Sequence, residues 1–215
     1  MNFLKGVRET VLRSKAMKMQ VLQVILCCNN CGYPPDEDRI VHWRIYLVVR
    51  KSPPLAVRVD MHPGGRDGQF GELKLKKVKY LYSKNYAAGF EVQAVQNWTP
   101  VTFLSMLQVN ALDYYYYAPG PHGCRYWCTM VLRCMEVVGF IQPGSALRFE
   151  QYIAQLNYED PEKYPLPLIK GTFLRLSPEV QRFAQENADR TTIMYDPNYG
   201  YYRPNAPGTS MQLWT

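Results

Sequence analysis

The sequence predicts an α+β domain in which an antiparallel sheet packs against one central helix. Three observations carry this. Residues 42–50, HWRIYLVVR, alternate strictly, with His42, Arg44, Tyr46 and Val48 on one face of a strand and Trp43, Ile45, Leu47 and Val49 on the other. Strand-like runs over 19–28, 55–61 and 72–81 flank it, separated by turn chemistry: the Asn, Gly and Pro-Pro of 29–38, Pro53-Pro54, and the glycine-rich HPGGRDGQFG. Beyond residue 99 the period changes, and Cys124, Trp127, Cys128, Val131, Met135 and Val138 fall on one helical stripe that Gly139 ends.

The remaining elements follow in order. Residues 1–18 space Phe3, Leu4, Val7, Val11 and Leu12 among basic side chains, as a short amphipathic helix or a mobile arm would. The strands form a meander that 90–95 extends. Thr99 followed by Pro100 is a helix start, the hydroxyl capping and the proline filling the first turn, and this helix runs to about Ala111. A tyrosine-rich extended stretch, DYYYYAPGPHG, leads into the central helix. An amphipathic helix over 145–157, a short strand over 171–176 and a last helix opened by Ser177-Pro178-Glu179 complete the domain. The reading therefore divides the chain into an arm (1–18), one α+β domain (19–187) and a Pro/Tyr/Asn-rich tail (188–215) punctuated by turns.

Composition narrows the class. With 47% hydrophobic and 20% charged residues the chain can bury a sizeable core in water, and it has no apolar run long enough to cross a bilayer. The apolar stretch after the basic arm, 21–26, is short and interrupted by Gln23, so it reads as a strand and not as a secretory signal. A cytoplasmic location and reduced thiols for the six cysteines are the expectation. Cys28 and Cys31 form a C-x-x-C, but no second pair follows at zinc spacing, and neither a metal nor another cofactor is expected. The net charge of +7 is densest at Lys74, Lys76, Lys77 and Lys79, which mostly alternate with Leu73, Leu75 and Val78. That is the wet face of a half-buried strand, and no nucleic-acid partner is expected.

The candidate chemistry centres on Cys124. A thiol becomes nucleophilic when its pKa is lowered, which a helix N-terminus and a neighbouring imidazole both do. Cys124 opens the central helix after Gly120-Pro121-His122-Gly123, a loop that turns sharply and leaves backbone N–H groups for a developing oxyanion. His42, which opens its strand with Arg44 and Tyr46 on the same face, is the expected base, and His122 could take its place. The bland readings stand beside these: Cys124 as packing at a helix start, and His42 as a satisfied core histidine.

The pieces H-W-R-I-Y-L at 42–47 and G-C-R-Y-W at 123–127 resemble the circularly permuted papain-like cysteine enzymes, the group that includes the lecithin–retinol acyltransferase-like and PPPDE proteins, in which a strand histidine precedes a cysteine at a helix start. The resemblance covers roughly residues 40–140 and implies a permuted papain-like arrangement of the fold. The chain departs from that pattern in having Arg125 where a polar amide is usual. For the third member that orients the histidine, Asp60 and His62 are the candidates, and Asp60 fits better because a carboxylate fixes the tautomer. Across nearly the whole domain the chain is similar to a fungal family known only as a domain of unknown function; HWRIYLVVR, VRVDMHPGG, the tyrosine run and GCRYW carry that likeness. It implies a fungal source and a link to secondary metabolism.

Three functional readings follow. In the first, a cofactor-free thiol enzyme attacks an ester, amide or thioester with Cys124, while His42 shuttles the proton, Asp60 orients His42 and loop amides hold the oxyanion. Tyr46, Tyr116, Trp127 and His122 would line a site for an apolar or aromatic small molecule, with Arg44 or Arg125 holding an anionic oxygen. The second is a cofactor-free cyclase or isomerase of a metabolite pathway that uses acid–base help from His42. The third is a binding module without catalysis. The first requires one spatial fact above all: the Cys124 sulfur and the His42 imidazole must meet in an accessible cleft, and a thiol sealed in apolar packing would end it.

Overall fold

A computed structural model describes residues 9–30, 41–65, 68–120, 122–176, 178, 180–182, 194–196 and 200–202. Its centre is a curled seven-stranded antiparallel sheet in the order β5-β1-β2-β3-β4-β6-β7. The strands are β1 (Gln23–Asn30), β2 (Val41–Arg50), β3 (Leu55–Gly64), β4 (Phe70–Val78), β5 (Tyr86–Gln93), β6 (Tyr115–Tyr116) and β7 (Thr172–Phe173). The helices are α1 (Glu9–Leu12), a 3-10 turn (Lys15–Lys18), α2 (Pro100–Val109), α3 (Cys124–Val137) and α4 (Ser145–Glu159). A separate hairpin pairs β8 (Met194–Asp196) with β9 (Gly200–Tyr202). The fold is α+β.

The alternation read in β2 sorts side chains into two cores. Trp43, Ile45, Leu47 and Val49 join Val24, Leu26, Val57, Val59, Leu73 and Leu75 on the face that the helices cover. Tyr46 and Val48 join Ile25, Cys27, Ala56 and Val78 on the other face, where Leu81 and Tyr82 of the β4–β5 connection pack over them. Both faces of β2 are therefore buried.

The meander holds for β1 to β4, but β5 does not extend it. The chain after β4 crosses to the opposite edge of the sheet, where β5 pairs with β1. The second-face core accounts for this route: Tyr80, Leu81 and Tyr82 are the segment that closes it. Among the described residues β4 meets β6 only at Phe70, so its lysine-rich stretch lies along an edge with Leu73, Leu75 and Val78 turned inward.

Helix starts and stops follow local chemistry. Thr99 and Thr102 form a reciprocal capping box at the start of α2, with Pro100 in its first turn. α3 ends in a Schellman arrangement: Gly139 takes φ +74°, its N–H bonds the Glu136 carbonyl, and the Phe140 N–H bonds that of Met135. α3 is buried on most of its circumference and not along one stripe, because it packs against β2, α2 and α4 at once. Arg133 pairs with Glu150 of α4 at 2.6 Å within this contact. Ala16 and Met17 are buried in the core, so the 3-10 turn packs on the domain. Residues 1–8, Cys31 and most of 177–215 lie outside the described residues, among them most of the predicted last helix and tail.

Phe149 of α4 is fully buried, edge-on to Trp43 with ring centroids 5.1 Å apart and 5.5 Å from the ring of Phe90. It joins α4 to two strands. Truncating it (Phe149→Ala) should cost about 3–5 kcal/mol, against about 1 kcal/mol for loss of the α2 cap in Thr99→Ala. Chemical denaturation of both variants checks this, and equal losses would mean that α4 is peripheral to the core.

Candidate active site

α3 begins beside the first residues of β2. The Cys124 sulfur lies 3.9 Å from the Val41 carbonyl oxygen, is approached by the Trp43 N–H, and hydrogen-bonds the His42 imidazole. The thiol and the imidazole meet at the start of the strand, both buried, with Cys124 8% exposed and packed in the helix-side core. His42 Nε2 lies 2.7 Å from Asp60 Oδ1, which leaves Nδ1 as the ring nitrogen for the thiol. The sheet supplies the carboxylate, since Asp60 directly follows Val59, whose pairing with Ile45 is the last of the β2–β3 ladder at the end where His42 and Arg44 lie. The second carboxylate oxygen accepts from Arg44 Nε at 2.9 Å, and Arg44 Nη1 donates in turn to Asn29 Oδ1 at 3.2 Å on β1. His62, the other candidate for the orienting role, is half-buried opposite Glu72.

The start of α3 is fixed from beneath by Tyr115. Its hydroxyl donates to the Gly123 carbonyl at 2.8 Å and accepts from the Gly171 N–H at 2.9 Å, tying β6, the helix start and the entry to β7 through one atom. Gly123 has φ +127°, and a Cβ there would stand 2.5 Å from that hydroxyl. A glycine is therefore required both by backbone and by space. Having no side chain, Gly123 also caps none of the first-turn N–H groups of α3.

Electrostatics distinguish Cys124 from the other cysteines. Burial works against its thiolate, but the hydrogen bond and charge of His42, the Trp43 N–H and the Arg125 cation outweigh it and hold the thiol below its ordinary value. Burial likewise disfavours the His42 imidazolium, yet the bonds to Asp60 and Cys124 raise it to about 9. Asp60 is also buried, but His42, Arg44 and Arg58 hold it well below the usual carboxylate range. Cys128, one turn along the same helix, is pushed well up by burial. Burial also takes Cys28 and Cys134 up to about 12. The arrangement sets a thiol of lowered pKa against an imidazole of raised pKa with a carboxylate behind it, the group types that nucleophilic attack and proton return require.

The other sequence-predicted residues are placed as follows. Arg44 belongs to the Asp60 network. Tyr46 is fully buried in the second-face core, and Trp127 is fully buried with its indole N–H donating to the Leu112 carbonyl at 2.8 Å. These two are core residues and not lining: alternation and the helical stripe reveal which side chains share a face, but not that the face is covered. Tyr116 is half-buried on β6, while its neighbours Tyr115 and Tyr117 are buried, Tyr117 with its hydroxyl on the Met61 carbonyl. His122 is half-buried, its backbone bridged to Ala118 and its ring close to Gly120. Arg125 is buried beside Cys124. Asn29, Tyr115 and Gly171 were not singled out from sequence, because their roles depend on strand register and on one hydroxyl in a run of four tyrosines. Among the described residues no cluster of His, Cys, Asp or Glu could hold a metal ion, and no helix is long and apolar enough to cross a membrane.

If the imidazolium is what ionises the thiol, the rate of Cys124 alkylation by iodoacetamide should rise through a midpoint below the ordinary thiol pKa. In His42→Gln burial acts unopposed by the imidazole, and the midpoint should move upward. Peptide mapping across a pH series checks both, and an unshifted midpoint in the variant would show that His42 does not set the thiol.

No curated protein matches the chain, and no solved structure does. The family model described as domain of unknown function (DUF7770) matches residues 24–174, a span that holds β1 from its second residue, β2 to β7, His42, Asp60 and Cys124. With that match the chain belongs to the DUF7770 family.

Proposed function

We propose that this protein is a cysteine–histidine acyl-transfer enzyme that works without a cofactor, with Cys124 as nucleophile, His42 as proton shuttle and Asp60 as the residue that orients His42. One observation supports this most: of the five described cysteines, the one at a helix start facing an Asp-bound imidazole is the one whose thiolate is favoured. The order of elements, strand histidine before helix cysteine, fits a permuted papain-like arrangement.

The chemistry follows from the placements. The thiolate attacks the acyl carbon, a C–S bond forms, and the carbonyl electron pair moves to oxygen near the uncapped first-turn amides of α3. When that pair returns, the bond to the leaving group breaks and the leaving atom takes the proton from His42 Nδ1. The thioester is then attacked by water or a second nucleophile, whose proton passes to the now neutral imidazole. Expulsion of the thiolate restores the starting pair. Asp60, accepting from Nε2 throughout, keeps Nδ1 directed at the sulfur and stabilises the imidazolium.

Incubation with a panel of activated esters and thioesters, followed by intact-mass analysis, should trap one acyl adduct on Cys124. Turnover of any accepted substrate should fall by a factor on the order of a thousand or more in Cys124→Ala, with Cys128→Ala retaining activity. The pH profile should be bell-shaped, rising as Cys124 ionises and falling as His42 loses its proton near 9. Substantial turnover in Cys124→Ala would transfer the function to acid–base catalysis by His42, the cyclase or isomerase reading.

A further inference from the structure

The first turn of α3 carries a cation that the steps above do not use. Arg125 follows Cys124, is only 8% exposed, and donates through Nη2 to the Pro165 carbonyl at 2.6 Å. Its Nη1 is sealed from water with no hydrogen-bond partner among the described residues. A buried guanidinium is unfavourable unless its N–H groups are paired, and arginine cannot readily escape by losing its proton. Among the described residues, the groups near it that can carry negative charge are the thiols of Cys124 and Cys28. Cys28, pushed up to about 12 by burial, stays neutral, so the Cys124 thiolate is the anion that compensates Arg125.

Acylation removes that anion. Once Cys124 is a thioester the sulfur is neutral, and Arg125, the next residue of the helix, is left as a buried cation with a free N–H. We propose that Arg125 Nη1 binds a carboxylate carried by the acyl substrate near its scissile carbonyl, an inference that rests on acyl transfer at Cys124. A carboxylate restores the charge balance one for one and accepts the unclaimed N–H. Substrates are then acyl compounds with a free acid close to the reacting centre, such as half-esters or half-thioesters of short dicarboxylic acids.

Iodoacetate and iodoacetamide test this on the full chain, because they deliver the same carbon to sulfur with and without a carboxylate. The ratio of their rate constants at one pH does not depend on the thiolate fraction. For Cys124 the iodoacetate-to-iodoacetamide ratio should exceed that of glutathione by about tenfold or more, as one charge-assisted hydrogen bond gives, and should collapse in Arg125→Gln and partly recover in Arg125→Lys. A wild-type ratio equal to that of glutathione, or a raised ratio that Arg125→Gln leaves unchanged, overturns the assignment, the latter crediting His42 instead. Should Arg125→Gln fail to fold by circular dichroism, protection of wild-type Cys124 from iodoacetamide decides: butyrate should protect and butyramide should not at equal ionic strength, and equal protection overturns the proposal. Failure of iodoacetamide to single out Cys124 at all would instead remove the acyl-transfer reading beneath it.

Discussion

Asp60 is a carboxylate taken almost wholly out of water, and the charged end of the sheet is organised around it. Such a group is tolerated only when both oxygens are claimed by strong donors. Here His42 claims one and Arg44 the other, both from the neighbouring strand. Neither donor is near Asp60 in sequence; the β2–β3 register brings them together, and a slip of one residue would turn Asp60 toward the apolar core. The same face is thus divided along the strands. Ile25, Tyr46, Val48, Ala56 and Val78 make one end apolar, and Asn29, His42, Arg44 and Asp60 make the other end polar. The polar end is where α3 begins.

From Asp60 the groups alternate outward in the sign of charge each can carry: carboxylate, imidazole, thiol and guanidinium in turn. Each is buried, and the charged form of each is favoured by a neighbour able to carry the opposite sign. This explains how Cys124 holds a lowered pKa in a place where desolvation alone would raise it. It also explains why the position of the helix start has to be fixed closely, since charge pairing at contact range weakens steeply as the groups separate. Tyr115 does that fixing from below, against two glycines that leave it no slack: a Cβ at Gly171 would lie 2.3 Å from its hydroxyl, and one at Gly123 hardly farther.

How much of this the sequence contains differs by kind of information. Local chemistry was legible: the Thr99 capping box, the glycine that ends α3, the two-faced alternation of β2 and the lysines of β4 all follow from spacing and residue type. The pair Cys124 and His42, with Asp60 behind, was legible as a set of candidates because each has the residue type the chemistry requires at an element terminus. What spacing does not encode is partnership. Nothing in 86–93 says that the strand pairs with β1 at the far edge, and nothing in YYYY says that Tyr115 rather than Tyr116 holds the helix. Tyr46 and Trp127 look like lining until the structure shows that both sides of their elements are covered. Arg125 as a buried cation was equally hidden, since the sequence places it in a first turn that is normally exposed.

Cys124 and Cys128 together isolate the cause of thiol activation. They are the same residue type, one turn apart on one helix, and both are removed from solvent, yet their acidities move in opposite directions. Burial is common to both and raises both, so it cannot be the discriminating factor. The helix dipole favours the first turn over the second, but its effect on an uncapped terminus is modest. What Cys124 has and Cys128 lacks is, first, hydrogen-bond contact with an imidazole whose proton is secured by a carboxylate, and after it the Trp43 N–H and the Arg125 cation. The reactivity assigned to Cys124 therefore originates mainly in His42 and Trp43 of β2 and Asp60 of β3, more than in the helix that carries the sulfur, and the sheet register is as much a part of the site as the thiol.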